Sequence, residues 1–208
     1  AVKYLPFELT SHQQNALAQI EKDFSAGKPM NRLLQGDVGS GKTIVAFLSS
    51  LLVIGSGYQV AMMAPTEILA EQHFKNLLPY ENLLGIRIDL LTSSTPAKKR
   101  AEMLGHLMTG RIHLLIGTHA LITSDVDFYN LGYVIVDEQH RFGVNQRAQL
   151  RKKSQSTDSA FNPHMLFMTA TPIPRTLSMC VYGDLDVSII RELPKGRKSI
   201  ITKIIREK

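Results

Sequence analysis

One cysteine, Cys180, stands in a chain of 208 residues. It excludes an internal disulfide and fits a reducing, cytoplasmic compartment. No stretch of eighteen apolar residues occurs, so no membrane span is expected. The opening residues, Ala1-Val2-Lys3-Tyr4-Leu5-Pro6, have no secretory-signal pattern. They also lack an initiator Met, which reads as a piece of a longer chain or a processed one. There is no internal repeat and no low-complexity tract. The seven histidines are scattered, none at metal-ligand spacing, so no zinc site is expected.

Acidic residues are scarce in one place only. The chain has 24 Lys and Arg against 18 Asp and Glu, a net charge of +6. Residues 191–208 hold seven of the basic residues against Glu192 and Glu207, which leaves a net of +1 over residues 1–190. The excess therefore reports a basic tail and does not by itself choose a nucleic-acid partner. A second cluster, Arg141, Arg147, Arg151, Lys152 and Lys153, has no acid between its ends. On charge alone it fits a solvated loop as well as a phosphate contact.

What is present is more specific. Hydrophobic residues make up 44% of the chain, enough for one substantial core. Residues 36–43 read Gly36-Asp37-Val38-Gly39-Ser40-Gly41-Lys42-Thr43, the phosphate-loop pattern. A short apolar strand, Arg32–Gln35, precedes it, and an apolar helical run ending at Gly55 follows. Gly36, Gly39 and Gly41 let the backbone wrap closely round a phosphate chain. The loop N–H groups and the helix N-terminus then face the anion. Lys42 is expected to reach the β- and γ-phosphates, and Thr43 to place its hydroxyl on Mg2+.

The second motif is Tyr133-Val134-Ile135-Val136-Asp137-Glu138-Gln139-His140. Four apolar residues predict a buried parallel strand. Asp137 then falls at its carboxyl end, where open α/β sheets bind ligands. A carboxylate there can hold the same Mg2+ as Thr43. Glu138 is the candidate to orient or activate the attacking water. Loop and acid pair together point to nucleotide hydrolysis.

Strands and helices alternate. Strands are predicted over Arg32–Gln35, Gln59–Ala64, Ile86–Thr92, His113–Gly117, Gly132–Asp137, Met165–Thr169 and Val187–Ile190. Helices are predicted over Ser11–Asp23, Lys42–Ile54, Glu67–Leu78, Pro96–Met108 and Pro174–Tyr182, with Thr95 as an N-cap before Pro96. The alternation implies an α/β fold, a mostly parallel sheet with helices on both faces. Ser154–Pro163 reads as a polar connector. Leu193-Pro194-Lys195-Gly196-Arg197 reads as the exit of the domain, and Ile200–Ile205 as a further short strand. Eight residues past a linker cannot make a domain, so the natural protein is expected to continue beyond Lys208.

Four further signals lie where a nucleic-acid motor needs them. Leu9-Thr10-Ser11-His12-Gln13 precedes the phosphate loop by about one helix; the Gln13 amide can give and accept hydrogen bonds at an adenine edge, and Phe7 can stack on the base. A plain helix cap with a surface Gln is the simpler reading of that string. Ala64-Pro65-Thr66-Glu67 and Gly117-Thr118-His119-Ala120 each follow a strand and suit a phosphate. Met168-Thr169-Ala170-Thr171-Pro172 ends a strand, and its hydroxyls can link the hydrolytic centre to the nucleic-acid side.

In this order and spacing the motifs resemble the first RecA-like domain of superfamily 2 helicases, a P-loop NTPase fold, across essentially the whole chain. The strings Pro29–Thr43, Pro65–His73, Asp137–Val144 and Thr169–Thr176, with Gly183-Asp184-Leu185-Asp186 and Gly196-Arg197, look like the RecG family of bacterial ATP-dependent DNA helicases. The translocase module of the transcription–repair coupling factor shares much of this. That family usually carries a second Glu where Gln139 stands and an aromatic in place of Ser40, so Gln139, Ser40 and Asp184-Leu185-Asp186 favour RecG.

The resemblance implies roles. Lys42 and Thr43 bind phosphate and Mg2+, Asp137 the metal, Glu138 the water, and Gln13 adenine. Pro65, Thr66, Thr118 and His119 line the DNA backbone. His140, Thr169 and Thr171 tie nucleotide state to DNA contact. It also implies ATP as substrate, branched DNA (forks and Holliday junctions) as partner, roles in DNA repair and recombination, and a monomer. Residues 1–193 would be the first helicase domain, and 194–208 a linker into a second RecA-like domain. A wedge domain would precede it. The second domain would supply arginines to the ATP site.

Overall fold

The computed structural model describes residues 5–138, 162–171 and 185–192. Seven strands form one sheet: β1 Asn31–Gly36, β2 Gln59–Met63, β3 Ile88–Leu91, β4 Leu114–Gly117, β5 Leu131–Val136, β6 His164–Thr169 and β7 Asp186–Ile190. Their order across the sheet is β3-β4-β2-β5-β6-β1-β7, and every pairing is parallel. Helix α1, Ser11–Phe24, precedes β1; parallel strands need crossovers, and further helices supply them: α2 Lys42–Gly55, α3 Glu67–Leu77, α4 Pro79–Leu84 and α5 Ala97–Met108. The RecA-like α/β expectation holds, with all seven predicted strands in place.

The side-chain period of two explains the layers. Along β5, Tyr133 and Ile135 enter one core, and Val134 and Val136 the other. Leu34 and Leu33 of β1 divide the same way, as do Leu166 and Phe167 of β6. The first core takes Ala16 and Ile20 of α1, Phe47 of α2, and Ala70 and Leu77 of α3. The second takes Met103 and Leu107 of α5 and Leu121 of a short 3₁₀ helix, His119–Ile122. The sheet is thus buried on both faces, which is why its strands read as continuous apolar runs.

Local chemistry sets the helix ends. Thr10 caps α1, its hydroxyl accepting from Gln13 N while the Gln13 side chain accepts from Thr10 N. That is a capping box. Helix α4 was not anticipated, although Pro79 at its first turn and the left-handed Gly85 (φ 65°) at its end mark it. Its Glu81 takes Ile86 N and Ile88 N, and His113 takes Arg87 N, so β3 starts at Ile88 and not at Ile86. The Thr95 expectation is corrected. Pro96 is the N-cap of α5, without a side-chain bond, and the Thr95 hydroxyl accepts from Thr92 N at 3.0 Å. The expected helix Pro174–Tyr182, the strand Ile200–Ile205, the basic cluster 141–153 and most of the 154–163 connector lie outside the described residues.

Close packing at the end of β4 gives a stability test. A Cβ on Gly117 would lie 2.1 Å from the Leu91 carbonyl oxygen on β3 and 3.0 Å from the Leu121 side chain. The first obstacle is backbone and cannot swing aside. Gly117→Ala is therefore expected to destabilise the fold by about 1–3 kcal/mol. An unchanged urea midpoint would contradict the packing described.

Candidate functional site

The carboxyl ends of β4, β2, β5, β6 and β1 lie side by side, and the phosphate loop, the acid pair, the two strand-end turns and Thr169 fall on this one edge. At β1 the strand ends at Gly36, and α2 opens after Gly41, which takes φ 87°. Gly39 has φ 78°. The loop is tight in two places. A Cβ on Gly36 would meet the Ser40 hydroxyl at 2.6 Å and the Ile190 carbonyl at 2.8 Å, and one on Gly41 would meet Gln13 Nε2 at 2.2 Å. Only glycine fits both positions. Asp37 and Val38 are exposed at the tip, while Ser40 is buried with its Oγ unpartnered.

Lys42 Nζ donates to the carbonyls of Gly36 (2.7 Å) and Asp37 (3.1 Å), which holds the ammonium over the loop. Burial pulls its pKa below the ordinary lysine value, while the carboxylates of Asp137, Glu138 and Asp37 push it back up. The ammonium therefore feels both ends of the proposed nucleotide site. Thr43, one residue on, is half-buried in the first turn of α2.

Asp137 directly follows β5, and its N–H donates to Met63 O of β2 at 2.8 Å. It is buried. Its Oδ2 lies 2.8 Å from His73 Nε2 on α3, and its Oδ1 accepts from Glu138 N at 3.0 Å. Glu138 takes φ 51°, alone among the described non-glycine residues in having a positive φ. Such strain tends to persist where the surroundings enforce it, commonly at reactive sites. Sequence reasoning missed His73. The available signal was a polar residue on the buried stripe of α3, between Ala70 and Leu77. His140 lies outside the described residues.

Among the described residues no group of three His, Cys, Asp or Glu side chains could hold a metal alone. That donor set suits Mg2+, which binds through one or two carboxylates, waters and substrate phosphates. One buried carboxylate, one helix-start threonine and a phosphate loop on the same edge supply that combination.

A largely apolar cavity of about 300 Å³ opens beside the loop, lined by Phe7, Gln13, Thr43, Ile44 and Tyr80 among others. Phe7 is exposed, and the Tyr80 ring packs on Phe47 at 5.3 Å. Tyr80 was not anticipated because α4, which carries it, was not. Gln13 is no surface residue: it is buried, its Nε2 donating to Ser40 O at 2.8 Å and its Oε1 accepting from Thr10 N at 2.9 Å. One amide hydrogen and one lone pair remain beyond these bonds.

The two strand-end turns are neighbours. Met63 of β2 is in register with Gly117 of β4, and Ala64 N donates to Gly117 O at 2.8 Å. This puts Pro65 and Thr66 next to Thr118 and His119. Thr66 caps α3, its hydroxyl accepting from Leu69 N at 3.3 Å. Thr118 is buried and His119 exposed. On the other side, Thr169 ends β6 between Asp137 and the loop, and its hydroxyl lies 2.9 Å from that of Thr171. The two hydroxyls bond each other.

The sequence matches the DEAD/DEAH box helicase family over residues 10–180. The ATP-dependent DNA helicase RecG of Aquifex aeolicus is 56% identical over 207 residues, 100% of this chain and 26% of that protein. The RecG of Synechocystis is 53% identical over 98% of this chain and 24% of that protein. A solved structure of RecG bound to a three-way DNA junction matches with a TM-score of 0.81 at 44% identity, covering 96% of this chain and 26% of that one. The chain spans about a quarter of the length of the relatives it matches. The chain belongs to the DEAD/DEAH box helicase family, and its similarity to RecG helicases runs over its whole length.

Proposed function

We propose that this chain is the ATP-binding first RecA-like domain of a DNA helicase motor that remodels branched DNA, forks and Holliday junctions, in repair and recombination. Residues 1–193 form that domain, and 194–208 lead towards a second RecA-like domain. A wedge domain of the same monomeric protein completes the DNA grip. The observation that carries the reading is the convergence of loop, acid pair and two strand-end threonine turns on one sheet edge. The junction-bound RecG structure, at 44% identity, supports branched DNA as the partner.

Each residue then has a task. The loop from Gly36 to Gly41, with Asp37, Val38, Gly39 and Ser40, wraps the phosphates with backbone N–H groups. Lys42 leaves its two carbonyl partners and follows the β- and γ-phosphates. Thr43 and Asp137 would hold Mg2+, which would supply positive charge beside the phosphates. Glu138 accepts the proton of the attacking water. Phe7 stacks on adenine in the cavity, and Gln13 reads its edge with the remaining hydrogen and lone pair. Pro65, Thr66, Thr118 and His119 meet the DNA backbone, a contact that positions without specifying sequence. Thr169 and Thr171, with His140, relay nucleotide state towards that contact.

The test is nucleotide affinity. Lys42→Ala deletes a charge-assisted contact worth roughly 1.5–3 kcal/mol. The affinity for ATP with Mg2+ should fall about tenfold or more. Equal affinities for wild type and variant by titration calorimetry would refute the reading.

A further inference from the structure

We propose that His73 is a positioning residue that fixes the metal-binding carboxylate of Asp137. The inference rests on the assignment of Asp137 to Mg2+. It goes beyond that assignment by naming a group, on a different element, that makes the carboxylate fit for the task.

His73 lies midway along α3 on the stripe formed by Ala70, His73 and Leu77, all three buried. The stripe is otherwise apolar, and Ala70 and Leu77 enter the core there. A buried imidazole without a partner is unfavourable, because its ring nitrogens lose water. Its bond to Asp137, 2.8 Å from Nε2 to Oδ2, replaces that water. Core packing alone asks for a leucine at this place; a histidine adds a directed N–H.

That N–H acts on a carboxylate that is already half held. Oδ1 of Asp137 accepts from the Glu138 backbone at 3.0 Å, and the Asp137 backbone is pinned to Met63 O at 2.8 Å. With His73 on Oδ2, both oxygens have a partner, one from α3 and one from the main chain, which opposes rotation of the side chain. A carboxylate offers about four lone-pair sites. Among the described residues His73 and Glu138 engage two of them. A carboxylate oxygen accepts, so Nε2 is the donor in this bond. His73 does not itself replace Asp137 as a ligand, because the nitrogen that faces the site is the one already bonded to Oδ2.

Partners of this type commonly cost 10–100-fold in metal affinity when removed. The experiment uses a fluorescent ADP analogue bound to the protein and titrates Mg2+, reading the concentration at half effect. H73L keeps the bulk and removes the donor; H73N keeps an amide with too short a reach. Both should raise the half-effect concentration at least about tenfold. H73Q can place its amide nitrogen near the Nε2 position and should return to within about threefold of wild type. Binding of the analogue without Mg2+ shows that each variant is folded, and if one of the two does not fold the other is read. Half-effect concentrations unchanged in H73N or H73L, or H73Q no better than they are, overturn the proposal. Those outcomes leave the nucleotide-site reading standing, since that one fails separately if Lys42→Ala has no effect.

Discussion

A full-length helicase carrying this segment with Glu138→Gln is expected to bind ATP as wild type does and to fail to displace a strand from a labelled fork. The amide is nearly isosteric with the carboxylate but cannot accept the water's proton. Loss of a positioned general base costs about 10²–10⁴-fold in the chemical step. The backbone observation makes the substitution cleaner. The φ of 51° and the N–H bond to Asp137 Oδ1 belong to the main chain, which the substitution does not alter chemically. The substitution removes the carboxylate's negative charge and its capacity to take a proton. Two measurements decide it: phosphate release in a single turnover, and fork displacement at saturating ATP. Hydrolysis above about a tenth of the wild-type rate would remove Glu138 from the role given to it.

Features with a chain-local cause were legible in the sequence. The central strands β2 and β5 announced themselves as apolar runs because the sheet is covered on both faces there, so β5 reads Leu131 to Val136 without a polar break. The phosphate loop was legible because only glycine fits positions 36 and 41, for steric reasons now visible as contacts to Ser40, Ile190 and Gln13. What escaped depends on residues far apart in sequence. Nothing near His73 names Asp137 as its partner, 64 positions away. The burial of Gln13 follows from a contact to Ser40, 27 positions on, and the local string favoured a surface cap instead. Even there the simpler reading was half right. Thr10 does cap α1, and the same Gln13 serves both the cap and the loop. Helix α4 was missed for a different reason. At six residues it is too short to show a hydrophobic period, leaving only Pro79 and Gly85 as punctuation.

Residues 1–208 alone are expected to hydrolyse ATP at a rate about 10³–10⁵-fold below that of the full-length helicase, and to leave forked DNA untouched. The site on this edge has a phosphate loop, the carboxylate of Asp137 proposed for the metal and that of Glu138 proposed for the water. The cation it brings to the phosphates is Lys42, already half-buried and bonded to two loop carbonyls. The proposed second RecA-like domain would add arginines to the charge that develops in the transition state. A single arginine of that kind accounts for the factor quoted. Displacement needs more than hydrolysis, because ATP must switch two bodies between discrete arrangements to move a strand. The described residues form one sheet with helices on both faces, which is one such body. The 208 residues correspond to about a quarter of each matched RecG. The comparison to make is steady-state turnover and fork displacement for residues 1–208 beside the full-length protein. Turnover by the 208 residues on the order of 1–100 s⁻¹, the range usual for complete phosphoryl-transfer enzymes, would mean the site is finished from within this chain. Any displaced strand would mean that one body suffices.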